Sequence, residues 1–167
     1  WAIPGTPGLE HRIGGIEKAD GSGNVSYDPA NHEFMVNLRA RKVAGIAADL
    51  APAEANDPSG SARVLVVGWG STFGTISAAA RRVRNSGRAV ATLHLRHLNP
   101  LPPNLGEVLH SYDRVIVPEM NLGQLAMVLR ATYLVNAESY SRVRGLPIST
   151  EELATDLQAI VDEESTR

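Results

Sequence analysis

Two histidines and an arginine close one apolar run of this sequence. His94, Arg96 and His97 lie in the stretch HLRHLNPLP, residues 94–102. Such side chains can bind a phosphate, a carboxylate or a metal ion. Side chains alternate between the faces of a strand, so His94 and Arg96 should lie on one side and His97 on the other. That alternation separates the histidines, and no nearby carboxylate completes a metal-ligand set, which disfavours a metal site. We expect Arg96 to form an ion pair at a subunit or domain contact, because guanidinium groups suit such contacts.

A second polar group follows another apolar run. Glu119, Asn121 and Gln124 lie in PEMNLGQL, residues 118–125, and lead into a predicted helix. We interpret Asn121 as a helix N-cap in preference to a binding group, because a short amide side chain satisfies the free N–H groups there. Glu119 is predicted to meet Arg96 across adjacent strand ends. That pair would stabilise the structure and would not act as an acid–base couple.

A glycine-containing loop, GWGSTFGT (68–75), joins a predicted strand to a predicted helix. Backbone N–H groups at such a helix start can bind phosphate. The loop lacks the lysine of a P-loop, Phe73 occupies the third glycine position of the dinucleotide fingerprint, and no acidic residue ends the following strand. We therefore favour a structural role, in which Gly68, Gly70 and Gly74 allow a sharp turn and close helix packing.

A glutamate and a histidine are neighbours near the start of the chain, where GLEHRIGG contains Glu10 and His11. A Glu–His pair can transfer protons. No nucleophile or orienting partner accompanies it in the sequence, so an exposed polar loop is the favoured interpretation.

The elements that must position these residues alternate regularly from residue 63. The predicted order is strand 63–68, helix 75–87, strand 89–95, helix 103–110, strand 113–119, helix 122–135, strand 140–145 and a final helix after Ser149. Ser149 and Glu152 have capping-box spacing. Strands that alternate with helices predict right-handed crossovers and a parallel sheet. The fold class is therefore α/β, a three-layer sandwich with a mainly parallel sheet.

The first third of the chain is less regular. Residues 1–30 are rich in Gly and Pro and predict an extended arm. Apolar residues at helical spacing predict an amphipathic helix over 31–50, so a helix and linker fill 31–62 and the α/β domain fills 63–167. The chain begins at Trp1 in an extended stretch, and we expect it to be part of a longer protein.

The composition excludes several classes of function. The formal net charge of −2 gives no basic footprint for nucleic acid, and no apolar run is long enough to span a bilayer. The absence of cysteine excludes disulfides, thiolate catalysis, iron–sulfur ligation and cysteine-based zinc sites. A cytoplasmic location is expected.

Four stretches together resemble one protein family. They are PGLEHRIGGIEKADGSGNVSYDPANHEFMVNLRARKVAGIA (7–47), VLVVGWGSTFGTISAAARR (64–82), LHLRHLNPLP (93–102) and VIVPEMNLGQLAMVLRA (115–131). The chain resembles the alpha subunit of 2-oxoacid:ferredoxin oxidoreductases, in particular the actinobacterial 2-oxoglutarate enzymes. The first stretch is similar to the segment after the pyrimidine-binding domain, and the others to the transketolase C-terminal-like domain. The resemblance therefore implies a transketolase C-terminal-domain-like fold preceded by an arm and a helix.

The resemblance also implies which chemistry lies outside this chain. Such enzymes decarboxylate a 2-oxoacid on thiamine diphosphate with Mg, pass electrons through an iron–sulfur cluster to ferredoxin, and convert coenzyme A to an acyl-CoA. In the family, thiamine diphosphate lies between the pyrimidine-binding domain of alpha and the pyrophosphate-binding domain of beta, and the cluster cysteines belong to beta. Neither domain is present here, so the resemblance implies a fragment with no cofactor, metal or catalytic residue of its own, which assembles and supports the active site.

The implied partners are the rest of the alpha subunit, the beta subunit, ferredoxin through the complex, and a homodimer contact. Candidate interface or supporting residues are Glu10, His11, Arg96, Glu119, Asn121 and Gln124. The alternative is an autonomous nucleotide- or CoA-binding α/β module, in which Arg96 and the 68–75 loop would hold phosphates.

Overall fold

The structure, a computed structural model, describes residues 2–166. The chain divides into two compact units, which join between Ala48 and Asp49. None of the described helices is long and apolar enough to cross a membrane.

The N-terminal unit is a small hairpin followed by a helix. Strands β1 (Glu17–Lys18) and β2 (Val25–Ser26) pair antiparallel. Helix α1 (Pro29–Gly45) begins where the Asp28 side chain accepts a hydrogen bond from the backbone N–H of Ala30 at 3.1 Å. A 3₁₀ turn (Ile46–Asp49) follows.

Two predictions about this unit need correction. The extended arm predicted for residues 1–30 contains the β1–β2 hairpin, whose two-residue strands are too short to show a sequence period. The helix predicted for 31–50 is present from Pro29 to Gly45, but none of its residues is buried in the structure.

The C-terminal unit is built on four parallel strands in the order β4-β3-β5-β6. Its elements are β3 (Val64–Trp69), a 3₁₀ turn (Gly70–Thr72), α2 (Phe73–Asn85), β4 (Ala91–Leu95), α3 (Leu105–His110), β5 (Arg114–Glu119), α4 (Gln124–Tyr133), β6 (Ala137–Ser141) and α5 (Thr150–Ser165). The predicted α/β fold with a mainly parallel sheet is confirmed.

Helices cover both faces of this sheet. Val64 and Val66 of β3 pack in one apolar cluster with buried residues of α2 and α5. Leu65 and Val67 point to the opposite face and pack in a second cluster with residues of α3 and α4. Because alternate residues of β3 serve two cores, the strand is continuously apolar and the domain has three layers.

The last strand differs most from its prediction. It spans Ala137–Ser141, whereas the sequence predicted residues 140–145. β6 lies at the edge of the sheet, and its central residues Glu138 and Ser139 are polar, so no apolar run marks it. The final helix begins as predicted, since the Ser149 hydroxyl accepts the N–H of Glu152 at 3.3 Å.

The segment predicted as a linker before β3 is partly fixed at the sheet edge. Asn56 and Thr92 of β4 exchange two backbone hydrogen bonds of 2.7 and 3.1 Å. The Asn104 side chain accepts from the N–H of Ala53 at 2.7 Å and donates to its carbonyl at 2.9 Å. These bonds hold the segment beside the outer edge of β4.

Candidate functional site

The carboxyl edge of the sheet carries the main candidate site. The chain leaves β3 and crosses to β4 on one side, whereas β5 lies on the other side of β3. Ligands of open α/β sheets bind at such a switch point, where the loops diverge. A cavity of about 230 Å³ lies here, lined by Trp69, Gly70, Ser71, Thr72, Met120 and Asn121.

The β3–α2 loop is organised from within. The Thr72 hydroxyl accepts from the N–H of Trp69 at 3.1 Å and donates to the Trp69 carbonyl at 2.8 Å. Gly70 has a φ of 56°, a value that favours glycine. A Cβ at Gly68 would overlap the Ile76 side chain, so this glycine permits close helix packing.

The third glycine of that loop, Gly74, does not have the predicted role in the turn or in helix packing. Gly74 has an ordinary φ, and a Cβ there would meet no other atom within 4 Å. The prediction that it serves the turn or the packing is therefore wrong.

Glu119 is the most deeply buried polar residue at this edge, with 0% exposure. Its carboxylate accepts from the N–H groups of Leu125 at 2.9 Å and Ala126 at 3.2 Å, and from the Asn121 amide at 3.0 Å. The two backbone donors belong to the first turn of α4, where a helix has unpaired N–H groups. Glu119 therefore anchors the start of this helix.

Asn121 completes the same arrangement. Its side-chain oxygen accepts from the N–H groups of Gly123 at 2.9 Å and Gln124 at 2.8 Å. The N-cap of α4 is Gly123, two residues further along the chain, so the prediction that Asn121 is the N-cap is wrong. Gln124 is exposed at the first position of α4. Glu119, Asn121 and Gln124 thus lie together at one helix start.

The predicted ion pair between Glu119 and Arg96 is wrong. Glu119 ends β5 and Arg96 follows β4, and β3 lies between these two strands. Glu119 is bonded to the start of α4 instead, and Arg96 is exposed.

His94 lies on the outer strand β4 under the ring of Phe73. The two rings meet edge to face at a centroid distance of 5.0 Å. The Nδ1 atom is buried near Gly68 and has no hydrogen-bond partner among the described residues. Burial, and then the positive charge of Arg96, lower the pKa of His94. Both effects disfavour the protonated, charged form of the ring.

Arg96 and His97 are exposed beyond the end of β4. Two cavities of about 490 Å³ each adjoin this strand end, and His94, Arg96 and Glu54 line both of them. Within residues 2–166 there is no group of three or more His, Asp or Glu side chains placed to hold a metal ion.

Glu10 and His11 lie in the N-terminal unit and are exposed. The Nδ1 atom of His11 lies 2.9 Å from the carbonyl oxygen of Leu9. Neither residue belongs to the C-terminal unit, which contains the carboxyl edge of the sheet.

Sequence reasoning missed a charged pair in the same unit. Arg39 of α1 donates two hydrogen bonds, of 3.1 and 2.8 Å, to the Glu17 carboxylate. These bonds, and then the N–H of Lys18, lower the pKa of Glu17 to about 2. The two residues are 22 positions apart, and no local pattern connects them.

A second missed cluster joins β6 to α5. The Tyr140 hydroxyl donates to Asp156 at 2.7 Å, and the Arg142 guanidinium lies 3.9 Å from the centroid of the Tyr140 ring. Burial and this hydrogen bond raise the pKa of Tyr140. Arg142 also donates to Glu152 at 2.5 Å, so this cluster fixes the last helix against the edge strand.

Sequence reasoning also missed Trp69 and Met120, which line the cavity of about 230 Å³ at the carboxyl edge. Nothing in their sequence context distinguishes them from core residues. Met120 is 40% exposed, and Phe73 and Leu122 at the same edge are 58% and 88% exposed. Aromatic and Met side chains on an exposed edge are typical of a surface that another polypeptide covers.

Comparison with known proteins identifies the family. Residues 62–153 match the domain described as pyruvate:ferredoxin oxidoreductase core domain II. The chain belongs to this family. The predicted relationship to the alpha subunits of 2-oxoacid:ferredoxin oxidoreductases is confirmed.

Two relatives define the relationship more closely. The 2-oxoglutarate oxidoreductase subunit KorA of Mycobacterium tuberculosis (strain ATCC 25618 / H37Rv) is 53% identical over 159 residues, which are 95% of this chain and 24% of that protein. The 2-oxoacid:ferredoxin oxidoreductase 2, subunit alpha, of Aeropyrum pernix is 33% identical over 160 residues, with 93% and 24% covered. The chain thus spans about a quarter of the length of these relatives.

One solved structure shares the fold over almost the whole chain. The 2-oxoglutarate:ferredoxin oxidoreductase from Magnetococcus marinus, solved with 2-oxoglutarate, coenzyme A and succinyl-CoA bound, matches with a TM-score of 0.80 and 30% identity. The match covers 96% of this chain and 28% of that one.

Proposed function

We propose that this chain is the C-terminal part of the alpha subunit of a 2-oxoglutarate:ferredoxin oxidoreductase. The parent enzyme converts 2-oxoglutarate and coenzyme A to succinyl-CoA and carbon dioxide, and it reduces ferredoxin. The observation that carries this proposal is the 53% identity to the Mycobacterium tuberculosis KorA subunit across 95% of the chain. The Magnetococcus marinus structure, which has 2-oxoglutarate, coenzyme A and succinyl-CoA bound, supports the choice of substrate class.

Within that enzyme we assign this chain to assembly and support of the active site. Its sheet edge presents an apolar crevice and three exposed apolar side chains, those of Phe73, Met120 and Leu122. The carboxylate and amide at the same edge, from Glu119 and Asn121, are already engaged by the backbone of α4. These features suit contact with another polypeptide, here the rest of the alpha subunit or the beta subunit, better than chemistry on a small molecule.

The cofactors of the parent enzyme do not fit the residues of this chain. Iron–sulfur clusters are held mainly by cysteine thiolates, and the sequence contains no cysteine. The 68–75 loop offers no Lys, Asp or Glu for thiamine diphosphate or its Mg. We therefore place thiamine diphosphate, Mg and the cluster on other parts of the complex and derive no step through them. We propose a cytoplasmic location for the complex.

The decisive experiment is reconstitution of the parent enzyme. The full-length alpha subunit is co-expressed with its beta subunit, and ferredoxin reduction is followed with 2-oxoglutarate in the presence and absence of coenzyme A. We expect CoA-dependent reduction and succinyl-CoA in the mass spectrum. A complex that turns over pyruvate but not 2-oxoglutarate would refute the substrate, and a complex inactive with every 2-oxoacid tested would refute the function.

Calorimetry of the 167-residue chain separates this proposal from an autonomous nucleotide- or CoA-binding module. We expect no heat of binding with ADP, coenzyme A or thiamine diphosphate. Binding that Arg96→Ala weakens by about 1–3 kcal/mol, the scale of a lost charged hydrogen bond, would favour the autonomous module.

A further inference from the structure

The segment before β3 leaves the outer edge of β4 and opens a gap there. Asn56 and Thr92 exchange two backbone hydrogen bonds, whereas Ala53 is bonded to the N-cap side chain of α3. An antiparallel pairing that continued past Asn56 would next join Glu54 to His94. The structure of residues 2–166 has no backbone hydrogen bond between these two residues. Two cavities of about 490 Å³ each adjoin the gap, one bordered by α2 and the other by the β4–α3 connection.

His94 presents two free backbone groups to this gap. Alternate residues of a strand direct their N–H and C=O groups to the same edge, so those of His94 point outward as those of Thr92 do. The groups of Thr92 are paired with Asn56, whereas those of His94 have no hydrogen-bond partner within residues 2–166. A ligand in the gap can therefore accept a hydrogen bond from the N–H of His94 and donate one to its carbonyl oxygen.

Two unpaired charges of opposite sign flank these backbone groups. Glu54 and Arg96 line both cavities and are exposed. Neither side chain forms an ion pair with the other or with a further residue of the described chain. Burial, and then the charge of Arg96, lower the pKa of His94, which disfavours a third charge in the gap. A ligand with one negative and one positive group would satisfy both charged side chains.

The cavity bordered by α2 also has an apolar wall. The Phe73 ring lies over His94 at a centroid distance of 5.0 Å, and Ile76 of α2 lines the same cavity. Its volume of about 490 Å³ lies in the range of roughly 300–1,000 Å³ that is usual for small-molecule sites. The part of a ligand that lies against Phe73 and Ile76 should therefore be apolar.

We propose that this α2-bordered cavity binds a free α-amino acid with an apolar side chain. The carboxylate of the amino acid accepts from the N–H of His94 and from Arg96. Its ammonium group donates to the carbonyl oxygen of His94 and to Glu54, and its side chain packs on Phe73 and Ile76. The inference goes beyond the proposed function and does not depend on it.

The same geometry favours a single amino acid over a longer peptide strand. Within β4 only Thr92 and His94 direct backbone groups outward, and those of Thr92 are already covered by Asn56. A peptide that added to the sheet would need several successive free residues along the edge. One free residue between two opposite charges matches a zwitterion of one residue.

Titration of the nitrogen-labelled 167-residue chain with L-leucine, followed by NMR, tests the proposal directly. We expect the amide proton of His94 to shift downfield and to saturate, because it donates to the leucine carboxylate. The outward amide of Thr92 is the internal control, since its partner is Asn56. No saturable shift at about 10 mM leucine, which would exceed a dissociation constant of about 1 mM tenfold, would overturn the proposal.

Analogues of leucine test each polar contact of the ligand. Leucinamide lacks the carboxylate and isocaproate lacks the ammonium group, and we expect each to bind at least about tenfold more weakly than leucine. Equal binding of either analogue would contradict the proposed contacts. N-acetyl-leucinamide lacks both charges, and equal binding of this compound would identify peptide recognition and overturn the proposal.

Matched variants test the two charged side chains. Arg96→Gln and Glu54→Gln should each weaken leucine binding at least about tenfold. Arg82→Gln and Glu107→Gln change exposed residues that line neither cavity and should leave binding unchanged. Arg96→Gln should not weaken leucinamide further, because that analogue has no carboxylate. Equal losses in a variant and its matched control would overturn the assignment. All four positions are exposed, so an unchanged thermal midpoint shows that each variant folds.

The parent enzyme provides the last test. Calorimetry with L-leucine is performed on the full-length alpha subunit co-expressed with its beta subunit, and we expect the same affinity as in the 167-residue chain. Binding by the chain but not by the enzyme would show that another polypeptide covers the gap, and it would overturn the proposal. Binding needs no turnover. Leucine binding by an enzyme inactive on 2-oxoacids would therefore support the amino-acid site while refuting the proposed function.

Discussion

Glu119→Gln tests whether a buried carboxylate anchors the carboxyl edge of the sheet. Glu119 is fully buried and accepts three hydrogen bonds, two from the first turn of α4 and one from Asn121. Glutamine keeps the size of the side chain but removes its charge. It also replaces one acceptor by an NH₂ group that faces a donor, because all three partners of Glu119 donate.

The expected cost follows from these contacts. A hydrogen bond to a charged group contributes about 1.5–3 kcal/mol, and an unsatisfied buried donor costs about 1–3 kcal/mol. The loss of one bond and the weakening of the other two together predict a destabilisation of about 3 kcal/mol. This is a large part of the free energy of unfolding of a folded domain, which is roughly 5–15 kcal/mol.

The assay is urea unfolding of the 167-residue chain, followed by circular dichroism at constant pH. The matched control is Glu151→Gln, because Glu151 is an exposed carboxylate in the first turn of α5. The control removes only an interaction with the helix dipole, worth about 0.3–1 kcal/mol. A loss below about 1 kcal/mol in Glu119→Gln, or a loss equal to that of the control, would refute the anchoring role.

Three further predictions follow from individual side chains. Arg39 holds the pKa of Glu17 at about 2, below the ordinary value of 4.5. The contribution of the Glu17–Arg39 pair to stability is therefore complete above about pH 4.5 and is lost as the pH falls towards 2. Carbon NMR of the Glu17 carboxyl group should show a titration midpoint at that low pH. Burial lowers the pKa of His94 below 6.5, so acid costs stability as the pH falls below that value, and Phe73→Ala should raise the proton-NMR midpoint by exposing the ring. Leu134 has a φ of 55° and is 88% exposed, so Leu134→Gly should stabilise the chain by about 0.5–1 kcal/mol in urea unfolding.

Each of these has a control. Arg39→Gln should return the pKa of Glu17 towards 4.5, and an unchanged midpoint would show that the pair does not set it. Phe73→Leu retains an apolar cover and should shift the His94 midpoint less than Phe73→Ala does. Ala131→Gly in the interior of α4 should destabilise by about 1 kcal/mol, and stabilisation there would contradict the backbone argument for Leu134.

The sequence was sufficient to predict most of the strands and helices of the α/β domain. Three of the four strands of the parallel sheet are apolar runs, and residues such as Val64 and Leu65 reveal strands buried on both faces. Ser149 and Glu152 marked the start of α5 because a cap is a local contact, readable from spacing. β6 was misplaced because an edge strand needs no continuous apolar run, and its Glu138 pairs with Arg114 of the neighbouring strand.

The order of strands in the sheet could not be obtained in the same way. Alternation of strands and helices predicts parallel pairing, but not which strand lies between two others. The Glu119–Arg96 prediction failed for this reason, since it required β4 and β5 to be neighbours. The hydrogen bonds that Glu119 makes instead reach six and seven residues along the chain, beyond the usual capping spacing.

The carboxyl edge argues against nucleotide binding for a reason that loop motifs alone do not provide. In an open α/β sheet, a ligand phosphate is held by free N–H groups at a helix start. At α4 those groups are occupied by the protein's own oxygens, those of Glu119 and Asn121, and a phosphate there would also meet the negative charge of Glu119. In the β3–α2 loop, the Thr72 hydroxyl accepts a hydrogen bond from the backbone N–H of Trp69. No cationic residue lines the adjoining cavity of about 230 Å³. Because the N–H groups at the start of α4 are bonded within the chain and exposed apolar side chains lie at the same edge, the edge is suited to another polypeptide surface.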